Sequence, residues 1–247
     1  MPSTRTRSRR GKEKTTKISN KTTANNNNNK SSNKEGADAG ALTTTFFASD
    51  GSPLYPSIAI SDAFNTVAHV IACMATYHLN DFIGIGFGLV AAASFVGTLR
   101  FAFSEKQFAK ANAELASMAA FIGLPMIGIA NIERMVAVDC NNQNATTIIY
   151  LLFLYVFANS IVSDSLKEIL TVLVNVFLFV LPVYYEGYLR GSTMEICSIS
   201  LFVVGAVVIG ADREKIFLGM RCENWFHYCL GTSAYLMANE FALIMGV

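Results

Sequence analysis

The 247-residue chain is 52% apolar and 15% charged, with a mean hydropathy of +0.39, which excludes an ordinary soluble domain and points to an all-α polytopic membrane protein. Its formal charge of +1 hides an asymmetry, because residues 1–34 hold ten Lys or Arg against one acid, Glu13. No nucleic-acid partner is indicated, and the five cysteines lack the paired CxxC spacing of a zinc or redox site.

Residues 1–50 read as a disordered cytosolic tail and linker, rich in Arg, Lys, Ser, Thr and Asn, and residues 51–247 as one membrane domain. The tail is Arg-rich and acid-poor like a transit peptide, but its few large apolar residues before Phe46, Ile18 and Leu42, make no amphipathic helix. The cluster Arg5, Arg7, Arg9 and Arg10 resembles the arginine-based signals that hold membrane proteins in the early secretory pathway, which implies the endoplasmic reticulum or another endomembrane. The plainer alternative is a solvated basic tail that sets topology and attracts anionic lipid headgroups.

Seven apolar segments follow, at about 57–79, 82–103, 110–132, 146–163, 168–186, 194–211 and 225–245, each long enough for a helix to cross a bilayer. Ser104 with Gln107 and Ser165 with Glu168 predict capping boxes for the third and fifth helices. Pro125 predicts a kink in mid-span, whereas Pro182 stands near a span end where it disturbs less. With the tail in the cytosol, 17 of the 19 basic residues lie on the inner side and only Arg134 and Arg190 outside, so an outer C-terminus is expected.

The first segment carries Asp62, Asn65, Thr66, His69, Cys73 and Thr76 on one helical face, and such a face needs other helices around it. Depth places Asp62, Glu114, Asn159 and His227 in the inner leaflet, His69 and Asn175 near the midplane, and Asn131, Glu133 and Glu186 outward. Glu114 and His227 are therefore candidate partners of Asp62, as an acid–base pair or simply as mutually satisfied polar groups. No HxxxH or HExxH spacing supports a metal, and the sequence identifies no cofactor. Ser94, Ser117, Ser160 and Ser200 lie in apolar helices without a nucleophile turn.

Gly84, Gly88 and Ala92 form a small-residue face for close helix contact. Gly97–Arg100 (GTLR) and Gly210–Arg213 (GADR) are similar, which raises a three-plus-one-plus-three repeat of the kind found in small-solute transporters. Cys140 and Cys197 both fall on the outer side and are candidates for a disulfide. In span number the chain resembles the seven-span hydrolases that include alkaline ceramidases and adiponectin receptors, but His227 stands alone where those have paired histidines.

Three functions are open. Small-solute or proton-linked transport predicts a path along Asp62, Asn65 and His69. A membrane-embedded lipid hydrolase predicts a metal or water held by three convergent groups, and a non-catalytic assembly or helper protein predicts a polar bundle without a cavity.

Overall fold

A computed structural model describes residues 46–136, 144–160 and 163–245. The tail expected at residues 1–45 and Cys140, with its expected bridge to Cys197, lie outside the described residues.

Seven helices stand where the seven apolar segments are. They are α1 (Pro56–Thr76), α2 (Asp81–Ala102), α3 (Glu105–Met118, continuing into Leu124–Val136), α4 (Asn144–Ser160), α5 (Asp164–Asn175, continuing into Leu181–Arg190), α6 (Thr193–Val203) and α7 (Cys222–Met245). Four of them, α1, α2, α3 and α5, are long and apolar enough to cross a membrane. The apolar parts of α4 and α6, Ile149–Ser160 and Thr193–Ile209, are shorter, and α7 is diluted by Glu223, Asn224, His227, Asn239 and Glu240. A belt of large apolar side chains is exposed around the bundle, among them Ile60, Val67, Met74, Phe153 and Val207, as expected of a surface bathed in lipid.

Three helices contain a π-turn: Ala119–Gly123 in α3, Val176–Val180 in α5, and Val204–Ile209 at the end of α6. Two of them end two residues before a proline, Pro125 and Pro182. A proline has no N–H for the carbonyl four residues back and its ring crowds that carbonyl, so a locally wider turn relieves both defects. Pro182 therefore disturbs its helix as much as Pro125 does, contrary to what its place in the sequence suggests. The Leu178 carbonyl, which loses an α-helical partner to Pro182, lies against Gly128 of α3, where any Cβ would collide with it.

The helix starts are set by short polar residues. Asn80 accepts from the Phe82 and Ile83 amides at 2.8 and 3.3 Å and opens α2, while Ser104 accepts from the Gln107 amide at 3.2 Å and opens α3; this is the Ser half of the expected capping box, since the Ser104 amide itself donates to the Leu99 carbonyl. Ser165 is not a cap. α5 begins earlier, at Asp164, with Ser163 in the cap position and its hydroxyl unused.

The linker expected to be unstructured ends in a small hairpin, β1 (Phe46–Phe47) with β2 (Pro53–Leu54), closed at Asp50 and Gly51. Asp50 Oδ1 accepts from the Ser52 amide and hydroxyl, and Oδ2 accepts from the Ser104 hydroxyl at 2.5 Å, so the hairpin is tied to the start of α3. The Ser104 bond, then those from Ser52, hold the Asp50 carboxyl down at about 2. A second hairpin, β3 (Ile216–Phe217) with β4 (Met220–Arg221), joins α6 to α7.

The core is aromatic and lies between the helices on the side away from β1 and β2. Phe87, Phe121, Phe179, Phe202 and Phe241 are buried there with Met126 and Met237. Gly84 faces Tyr77, just past the end of α1, and Gly88 faces Cys73 of α1, so the small-residue face expected from the sequence lies at the α1–α2 contact.

Candidate functional site

Asp62 enters the bundle one and a half turns into α1, against Gly97 of α2, where a Cβ would stand only 2.5 Å from Asp62 Oδ2. A Cβ at that crossing would have to displace the carboxylate. Asp62 Oδ1 is 3.3 Å from His227 Nε2 of α7, and both residues are buried. On its other side His227 Nδ1 is 3.1 Å from the Ser61 hydroxyl, which also reaches the Ile58 carbonyl at 2.9 Å and Asn224 Oδ1 at 3.4 Å.

One turn further along α1, Asn65 donates from Nδ2 to the Ser94 hydroxyl of α2 at 2.7 Å. Its Oδ1 has no hydrogen-bond partner although the residue is 1% exposed. A buried acceptor left unmade costs free energy unless a donor arrives from elsewhere, and the place from which one can arrive is adjacent.

Asp62, Asn65 and His227 line a cavity of about 670 Å³ walled by all helices except α4. Its polar lining is completed by Ser94, Asn112, Thr171, Asn175 and Glu223, and the remainder is apolar, for example Val90, Ala93, Phe202 and Leu230. Among the described residues, no Lys or Arg lines it. Each of the three π-turns contributes to the wall, through Ala119 and Ala120, Val176 and Val180, and Ala206 and Val207.

Toward the β1–β2 end the cavity is bounded by an ion network. Arg100 Nη2 and Arg213 Nη1 both bind Glu105 Oε1, at 2.7 and 2.6 Å, and Arg213 Nε reaches Glu223 Oε2 at 3.2 Å. Both guanidinium groups sit over the Phe101 ring, at 5.0 and 4.9 Å, and Arg100 Nη1 donates to Asn112 Oδ1. The arginines of the two similar tetrapeptides thus meet on one glutamate. Their glycines are not equivalent, since Gly97 is inside a helix and Gly210 ends one at φ 72°.

At the opposite end a second network is buried more deeply. Arg134 Nη2 is 2.8 Å from Glu186 Oε1 and 3.7 Å from Glu195 Oε1, Arg190 Nε is 2.9 Å from Glu186 Oε1, and Arg134 lies over the Phe241 ring. Glu186 and Glu195 are fully buried.

Of the residues singled out from the sequence, the structure brings Asp62, Asn65 and His227 together and leaves two out. His69 is buried one turn beyond Asn65, with Nδ1 2.9 Å from the Asn65 carbonyl and its ring edge on Phe87, and it does not line the cavity. Glu114 does not join His227. It is exposed on α3 with Lys110 Nζ at 3.9 Å, because it lies two residues, about 200° of helix, from the inward-facing Asn112. Cys197 is an exposed free thiol on α6.

The residues missed are Ser61, Asn112, Thr171, Glu223 and Asn224. Glu223 stands four before His227 and so shares its face, which was a usable signal; Asn112 gave none.

Ser61, His227 and Asp62 form a hydroxyl–imidazole–carboxylate chain, but in the wrong sense for nucleophilic attack. Asp62 is on the cavity and Ser61 is behind the imidazole, fully buried and off the cavity wall. Such a chain is suited to holding or passing a proton at the cavity surface. Among the described residues no three His, Cys, Asp or Glu side chains converge as metal ligands. No family model, no curated protein and no solved structure matches this chain.

Proposed function

We propose that this is a multi-pass membrane protein in which all seven helices cross an endomembrane, with the N-terminus cytosolic, and that it carries out proton-linked transport of a small solute. The observation that supports the reading is the buried Asp62–His227 contact on the wall of a 670 Å³ cavity, next to the unpartnered Asn65 Oδ1. Ionisable groups at membrane depth are costly, and a water-accessible pathway is the usual reason they persist.

The solute occupies the cavity while Asp62 and His227 exchange a proton with it or with water. Movement between the two sides needs a second opening, and the ion networks at the two ends, Arg100–Glu105–Arg213–Glu223 and Arg134–Glu186–Glu195, are placed to close each side in turn. α7 crosses despite its polar residues because Glu223, Asn224 and His227 are buried within the bundle.

The test is reconstitution into liposomes with an entrapped pH dye and a panel of small amines, carboxylates and sugars. At least one class should drive proton movement, and Asp62→Asn, still folded, should abolish it. Proton movement indistinguishable from empty liposomes across the panel rejects the transport reading.

A further inference from the structure

We infer that the cavity takes a single-chain amine, an ammonium head on an aliphatic tail, and admits it sideways from the bilayer between α5 and α6. The inference rests on the transport reading and names the solute class.

The head is specified by what lines the cavity at the Asp62 end. Asp62 and Glu223 are carboxylates, Asn65 Oδ1 is an unpartnered acceptor, and among the described residues no Lys or Arg stands on the wall to receive an anion. Arg100 and Arg213 are engaged with Glu105, and Arg213 also with Glu223, so Asp62 and Asn65 Oδ1 are the acceptors left for a head; both guanidinium groups stand behind Phe101 rather than on the wall. A phosphate or carboxylate head would find acceptors facing it, whereas an ammonium offers three donors to them.

The tail is specified by the rest of the wall, which is mostly Val, Leu, Ala and Phe with Ser94, Asn112, Thr171 and Asn175 among them, and by a volume within the range of about 300–1,000 Å³ typical of small-molecule sites.

The entrance follows from helix packing. α5 packs on α6 through Leu181–Arg190, near the Arg134 network, while its first half, Asp164–Asn175, packs instead on α3 and α4. The two helices therefore diverge toward the Asp62 end. Val172, Val176 and Val207 line the cavity and are also exposed on the outside of the bundle, so the wall is open there to whatever surrounds it. Both edges of the gap carry a π-turn, at Val176–Val180 and Val204–Ile209, a widening of the helix that recurs at functional sites.

The experiment is equilibrium binding of radiolabelled octylamine to the full chain in zwitterionic nanodiscs, corrected for uptake by empty discs. Saturable binding is expected, displaced by excess octylamine and not by octanoate or octanol. Asp62→Asn should weaken it at least about tenfold, the loss of one charge-assisted hydrogen bond. Val207→Trp at the gap should slow association. Equal displacement by octanoate or octanol overturns the ligand class without needing any variant, as does an absence of saturable binding. Association unchanged in folded Val207→Trp overturns the entrance. Failure of this proposal is distinct from failure of transport: proton movement with a different solute class rejects only the amine, while octylamine bound without any proton movement rejects transport and leaves the site.

Discussion

Gly97 decides how Asp62 is held. With a Cβ 2.5 Å from Oδ2, Gly97→Ala must push the carboxylate away from Gly97 and alter its 3.3 Å approach to His227, and overpacking of this kind costs about 1–3 kcal/mol. The expected outcome is a folded protein with a lowered melting temperature and reduced proton movement, both read on the same detergent-purified preparation. His69→Ala should separate the two readouts. It removes a buried ring packed on Phe87, so it should cost about 2–4 kcal/mol in thermal unfolding while proton movement per folded molecule stays near wild type. Loss of activity in folded His69→Ala would extend the proton path past Asn65. Spacing along α1 was enough to place Asp62, Asn65 and His69 on one face, yet a face runs the length of the helix and the cavity stops at Asn65. Glu114 shows the converse, because its depth was estimated from the sequence while its direction around α3 depended on a neighbour, Asn112, that carries no charge to reveal it.

At the scale of the helices, the prolines and glycines act in pairs that cross between elements. Pro182 on α5 removes the partner of the Leu178 carbonyl, and Gly128 on α3 gives that carbonyl a place against bare backbone. Gly128→Ala meets backbone on both sides, so neither helix can give way by a rotamer change. It should cost about 3 kcal/mol and lower the amount of folded protein recovered from membranes. Near-normal recovery and melting would show that α3 and α5 can separate there. The start of α3 carries a different test. Bonds from Ser104 and Ser52 hold the Asp50 carboxyl at about 2, below the ordinary 3.8, so the ionised form is the one that stabilises the hairpin. That stabilisation is full above about pH 4 and is lost as the pH falls toward 2. Hydrogen exchange over residues 46–54, corrected for intrinsic rates, should accelerate across that interval in the wild type and should be fast throughout in Asp50→Asn. The cap at Ser104 was readable because Ser and Gln at that spacing serve the same few amides in any helix. The π-turns were not, since a proline announces a defect and packing against Gly128 decides how it is resolved.

For the molecule as a whole, segment positions were legible because a lipid-facing helix must be apolar over its length, whatever it packs against. Its cavity was not, because Val90, Ala93 and Leu230 on the wall look in sequence like residues facing lipid or core. Orientation depends on the charges at the two ends. Arg134 and Arg190, the two basic residues assigned to the outer side, are both bound to Glu186, and Arg134 also lies beside Glu195, so that end presents almost no uncompensated positive charge. The other end carries Lys106, Lys110 and Lys215 on short connections and helix starts, with their acidic partners at 3.9 Å for Lys110 and 3.1 Å for Lys215. The positive-inside rule counts Lys and Arg rather than net charge, so the proposed orientation rests on the distribution of basic residues along the sequence, seven against two even when the Arg- and Lys-rich first 34 residues are left out. With seven crossings the two termini must lie on opposite sides. Protease added outside sealed vesicles of native orientation should remove an N-terminal tag and spare a C-terminal one. Both tags removed, or both spared, means an even number of crossings and points to one of α4 and α6, the shortest apolar helices, as the helix that does not cross. The reverse pattern keeps an odd number of crossings and turns the cavity and the Asp62–His227 pair to the lumenal side, where the proton gradient acting on them would have the opposite sign.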